Sequence, residues 1–168
     1  MNTREGFIVV GVDHSRPAVG ALEFALDEAM AHGCAVEVVT AWLWSSPYEG
    51  MDHVTSIAEG QRIAAAVQDR ALRDVLEGRV ERPAISQVVV HEDAGRALVE
   101  RAEGARMLIV GSARKGAMKR AVLGSVSEYC LRHAPAPVVV VADAEAHRHR
   151  GRLGAIETAA GTANRPVL

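Results

Sequence analysis

The chain has 168 residues, of which 49% are hydrophobic, 24% charged and 4% aromatic, with a net charge of −2. That balance fits one soluble globular domain with an aliphatic core, and it supplies no excess of positive charge with which to seek nucleic acid or an anionic membrane. No signal region precedes the first strand candidate and no apolar run nears the ~20 residues that span a bilayer, so no membrane partner and a cytoplasmic location are expected.

Apolar runs of strand length alternate with longer amphipathic segments. The first strand is predicted over Phe7–Val12. A helix follows, with Ser15 placed to cap it, Pro17 in its first turn, Ala18, Leu22, Ala25, Leu26 and Ala29 on one face and Gly33 as its stop. The second strand is Ala35–Trp42, with Trp42 expected to face the core. After a loop, Leu43–Thr55, a helix is predicted over Ser56–Glu77, its apolar stripe stepping by four through Ile63, Val67, Ala71 and Val75. The third strand, Ile85–Val90, leads to a short helix capped by Asp93, carrying Ala97, Leu98 and Ala102 and stopping at Gly104. The fourth strand is Met107–Val110. A last helix puts Val126, Tyr129, Cys130 and His133 on one face before Pro135 and Pro137, and the fifth strand is Pro137–Val141.

Most of these strands are unbroken Val, Ile and Leu rather than alternating polar and apolar, the pattern of strands buried on both faces. The predicted fold is therefore α/β, a doubly wound parallel sheet with helices on both faces. Residues 143–168 lack an apolar period and are expected to form a disordered tail. Cys34 and Cys130 have no metal-ligand spacing and are expected as buried, reduced thiols.

In such a sheet a ligand binds beyond the carboxyl ends of the strands, where the strand order reverses. Two strand exits carry unusual residues. The first is Gly11-Val12-Asp13-His14-Ser15, where Asp13 can accept from sugar hydroxyls, bind a metal or cap the helix. The other is Gly111-Ser112-Ala113-Arg114-Lys115-Gly116, running on to Leu123-Gly124-Ser125-Val126-Ser127. From Gly111 to Ser127 there are four basic residues, Arg114, Lys115, Lys119 and Arg120, and no acidic one. Gly111, Gly116 and Gly124 allow close backbone approach, and Gly124-Ser125 opens a helix whose first N–H groups can hold an anion, a phosphate above all. The other reading is a surface loop in which Ser125 is an ordinary helix cap. His14 reads as a solvent-facing loop residue, His133 as packing or a positive charge at a helix end, and Trp44 as a cover for a bound base or a surface residue.

The run from Val110 through Gly124-Ser125-Val126-Ser127 to Val141 closely resembles the last third of universal stress protein domains, and Ile8-Val-Val-Gly-Val-Asp-His-Ser15 resembles their start. The resemblance covers roughly residues 6–142, so a domain over 1–142 with its tail at 143–168 is expected. It implies a five-stranded sheet of order 3-2-1-4-5, a homodimer, and a bound adenine nucleotide, ATP or another, with or without Mg; the apolar strand Pro137–Val141, expected at the sheet edge, is where a twofold partner is expected to pair. The nucleotide-binding branch carries Gly, two residues, Gly, nine residues, then Gly and Ser or Thr. Here Gly111 and Gly124-Ser125 match, but Arg114 stands at the middle glycine and Gly116 lies two residues out of register. The implied site is Gly11, Val12 and Asp13 at the ribose, Ala41 against the base, Val110 and Gly111 as floor, Arg114 and Gly116 in the loop, and Gly124, Ser125, Val126 and Ser127 at the phosphates. The alternative is a dimeric interaction module in which Arg114 prevents nucleotide binding.

Other chemistries lack their residues. The Gly111–Gly116 spacing is followed by Ala117-Met118, without the lysine and hydroxyl of a P-loop, and the first turn lacks GxGxxG. Ser125 or Ser127 is a candidate phosphate acceptor, but no general base and no carboxylate pair accompanies Asp13, so at most weak ATPase or self-phosphorylation is expected.

Overall fold

In the computed structural model the described residues are 6–43, 53–112 and 123–142 (side chains from 57 onward in the second stretch). The chain order is β1 (Phe7–Gly11), α1 (Arg16–His32), β2 (Ala35–Trp42), α2 (His53–Leu76), β3 (Ile85–His91), α3 (Ala94–Arg101), β4 (Met107–Gly111), α4 (Ser125–His133) and β5 (Val138–Val141). All pairings are parallel and the strand order is β3-β2-β1-β4-β5, as the resemblance implies. The order reverses between β1 and β4, which pair through Val10 and Ile109.

Each face of the sheet has its own core. Ile8, Val10, Val36 and Val38 pack under α1 and α2, on Leu22, Leu26, Leu72 and Val75. Val9, Val39, Leu108 and Val110 point the other way, onto Leu98 of α3, Ala102 just past its end and Cys130 of α4. A strand with apolar side chains on both faces needs a helix layer on each, which is why the unbroken Val and Ile runs specify a doubly wound sheet.

The caps fall as the sequence indicates. Ser15 Oγ accepts from Ala18 N at 3.4 Å, and Gly33 ends α1 in the left-handed region at φ 64°. Asp93 Oδ1 accepts from Arg96 N at 3.1 Å at the start of α3. Cys34 and Cys130 are free and buried.

Two expectations need correction. The buried face of α2 is Ala64, Gln68, Ala71, Leu72 and Val75, whereas Ile63 is 57% exposed. A four-residue step overshoots a helical turn by about 40°, so the stripe begun at Ile63 winds off the core. Trp42 is half-buried rather than in the core; its ring stacks on His91 at a centroid distance of 4.3 Å and covers Gly60. Of the two readings of His133 the helix-end one fits: it is exposed in the last turn of α4 and stacks on Tyr129 at 4.2 Å, with Nδ1 2.9 Å from the Tyr129 carbonyl. The expected tail, 143–168, lies outside the described residues.

Candidate functional site

The carboxyl ends of β1 and β4 lie side by side at the reversal point. Three helices begin around them, because each of α1, α3 and α4 follows a strand that ends on this side of the sheet. Between them lies an open-mouthed cleft lined by the ends of both strands and by the first turns of those helices.

The cleft brings together ten of the residues singled out in the sequence. Gly11, Val12 and Asp13 form one rim, Val110 and Gly111 the floor, and Ala41 a side wall. Gly124, Ser125, Val126 and Ser127 close the opposite end. Arg114 and Gly116, like Trp44, lie outside the described residues. His14 is exposed and is not part of the lining.

Five further residues line the cleft: Ser15 and Ala18 from α1, Val39 from β2, and Ala94 and Leu98 from α3. Two of them carried a legible signal. Val39 is two residues from Ala41 and so shares its face of the strand. Leu98 sits on the apolar stripe of α3 and reaches Gly11, where a β-carbon would stand 2.9 Å from Leu98 Cδ1. The wall formed by Val39, Ala41 and Leu98 is apolar, a surface for a flat uncharged group.

The three helix starts differ. α1 and α3 are closed by the side chains of Ser15 and Asp93, but the cap residue of α4 is Gly124, which has no side chain to offer. Ser125 is therefore the first residue inside α4, not its cap. Ser127 is 1% exposed, and its hydroxyl donates to Gly124 O at 3.0 Å. The first amides of α4 thus face the cleft with the positive end of the helix dipole behind them. Across from them, Asp13 is exposed and its Oδ1 accepts from Ser15 N at 2.8 Å. One end of the cleft therefore favours an anion and the other presents a hydrogen-bond acceptor.

Behind the site, burial pushes the Cys130 thiol up to about 11, with the negative charge of Asp93 adding to the shift. It is an inert packing group, not a nucleophile. Among the described residues no cluster of three or more metal-ligating side chains occurs, and no helix is long and apolar enough to cross a membrane.

The profile of the universal stress protein family matches residues 7–142. The chain belongs to that family. Universal stress protein Rv2623 of Mycobacterium tuberculosis is 32% identical over 138 residues, covering 78% of this chain and 43% of the relative. Universal stress protein Mb2028c of Mycobacterium bovis is 33% identical over 139 residues, with the same coverage of 78% and 43%. This universal stress protein chain thus spans less than half the length of those curated relatives. Among solved structures, UspA from Lactobacillus plantarum superposes with a TM-score of 0.67 at 21% identity, covering 83% of this chain and 99% of that one. A universal stress protein in complex with cAMP gives 0.55 at 23% identity, covering 84% and 99%. The protein from Archaeoglobus fulgidus in complex with dAMP gives 0.51 at 21%, covering 83% and 99%. At these identities the solved structures establish the shared fold.

Proposed function

We propose that this universal stress protein binds an adenine nucleotide in the cleft between β1 and β4 and acts as a homodimeric stress-response regulator without strong catalysis. The observation that carries the reading is the pairing, across one cleft, of the uncapped amides of α4 with the Asp13 carboxylate. The phosphates sit at Gly124–Ser127, the ribose hydroxyls donate to Asp13, and the base lies against Ala41. The nucleotides in two related structures, cAMP and dAMP, support the ligand class. ATP is the expected ligand, with or without Mg. The test is to identify any co-purified ligand by mass spectrometry, then titrate ATP, ADP, AMP and cyclic AMP calorimetrically. Binding of at least one is expected; no heat from any at millimolar concentration ends the reading.

The dimer forms through β5, an edge strand whose outer backbone groups invite a twin. A monomer at micromolar concentration in light scattering would contradict this.

A second reading is favoured by Arg114, which replaces the middle glycine of the nucleotide motif. In that reading the dimer is a protein-interaction module, and its basic loop meets an acidic surface. Arg114→Gly separates the two: nucleotide binding that appears only in the variant supports the module, and equal binding by both proteins supports the nucleotide site.

A further inference from the structure

Gln68 is a buried amide, 1% exposed, on the face of α2 that meets the sheet. Its Nε2 lies 2.9 Å from Val38 O, 3.1 Å from Val88 O and 3.2 Å from Thr40 Oγ1. The two carbonyls can only accept, so the NH₂ end of the amide belongs there. Thr40, 4% exposed, passes its own proton on to Val12 O at 2.9 Å. Donors therefore run in one direction from Gln68 through Thr40 to Val12, and each bond polarises the next.

The chain of bonds ends at the point where β1 leaves the sheet. β1 and β2 pair as far as Gly11 with Val39, and Val12 N still donates to Val39 O at 2.9 Å. One further ladder step would offer Val12 O the amide of Ala41. The Thr40 hydroxyl holds that carbonyl from the face covered by α2, and the next residue, Asp13, turns out to the rim of the cleft.

We propose that Gln68 and Thr40, neither of which lines the cleft, are positioning residues for the ligand site. They fix the Val12 carbonyl, and through the Val12–Asp13 peptide they fix the carboxylate that meets the sugar. The sugar half of this inference rests on the nucleotide reading; the positioning half does not.

The test compares the wild type with Thr40→Val, which keeps the shape and removes the hydroxyl, with Thr40→Ser, and with Gln68→Met. Amide hydrogen exchange is followed by NMR in the ligand-free protein at Val12 and Ser15, with core amides of α1 as reference. AMP and 2′,3′-dideoxy-AMP are titrated calorimetrically. In Thr40→Val, exchange at Val12 and Ser15 should rise about tenfold over the reference amides, and AMP affinity should fall about tenfold while dideoxy-AMP stays within about twofold, the scale set by one buried hydrogen bond. Thr40→Ser should restore both, and Gln68→Met should fall between. Unchanged relative exchange in Thr40→Val overturns the inference. Equal loss of both nucleotides also overturns it, because Thr40 would then serve the fold alone. Raised exchange with serine rescue, in a protein whose wild type binds none of ATP, ADP, AMP and cyclic AMP, upholds the positioning role and ends the nucleotide reading.

Discussion

A β-carbon on Gly111 would stand 2.6 Å from the carbonyl carbon of Pro17 and 2.8 Å from Ala18 N. The end of β4 and the first turn of α1 meet backbone against backbone, so the glycine that opens the nucleotide motif is required by packing before any ligand is considered. Neither neighbour is a flexible side-chain end that can swing away. Gly111→Ala should cost about 2–3 kcal/mol of folding stability, read as a lower urea midpoint at unchanged slope. A midpoint equal to that of the wild type would show that α1 can retreat from β4.

Gly124→Asp separates folding from binding. Gly124 has φ −68° and ψ 158°, a backbone that aspartate adopts freely. The new carboxylate would cap α4 and meet its dipole, raising stability by about 0.5 kcal/mol. The same charge would repel a phosphate from those amides. Thermal unfolding should hold or rise slightly while nucleotide affinity drops by about a hundredfold, on the scale of a lost charge-assisted hydrogen bond. Retained affinity would place the phosphates elsewhere.

Cys130 imposes a pH dependence on the fold. Its thiol is raised from 9.0 to about 11 by burial, so the folded state holds the proton more tightly than the unfolded chain does. The stabilisation is fully present below about pH 9 and is lost as the pH rises toward 11. Cys130→Ala should flatten the stability–pH curve in that window. In the native protein at pH 8 both buried cysteines should resist a thiol reagent until the chain unfolds, and rapid labelling of either would contradict their burial.

Leu26 of α1 is fully buried against the sheet. Leu26→Ala should cost about 2–5 kcal/mol, measured by chemical denaturation. A smaller loss would mean that Leu22 and Leu72 collapse into the space.

The sheet was legible because unbroken apolar strands admit few architectures, and Ser15, Gly33 and Asp93 are local signals for helix ends. Most of the cleft was legible because strand exits carry their own residue types. Elsewhere the missing information was tertiary. Gln68 reads as a surface residue until Val38 O, Val88 O and Thr40 Oγ1 surround it, which is why the apolar stripe through Ile63 misplaced the buried face of α2. Leu98 reads as core packing, and only the crossing of α3 over Gly11 turns it into a wall of the cleft. Ser125 resembles a helix cap in sequence, yet the helix starts one residue earlier than that role allows.

If the proposed anion settles at the bare start of α4, the endurance of the fold would follow the composition of its surroundings. Such an anion would compensate a turn the chain itself leaves incomplete, and only for folded molecules. By mass action the native population would then grow with the supply of that anion and shrink with its scarcity.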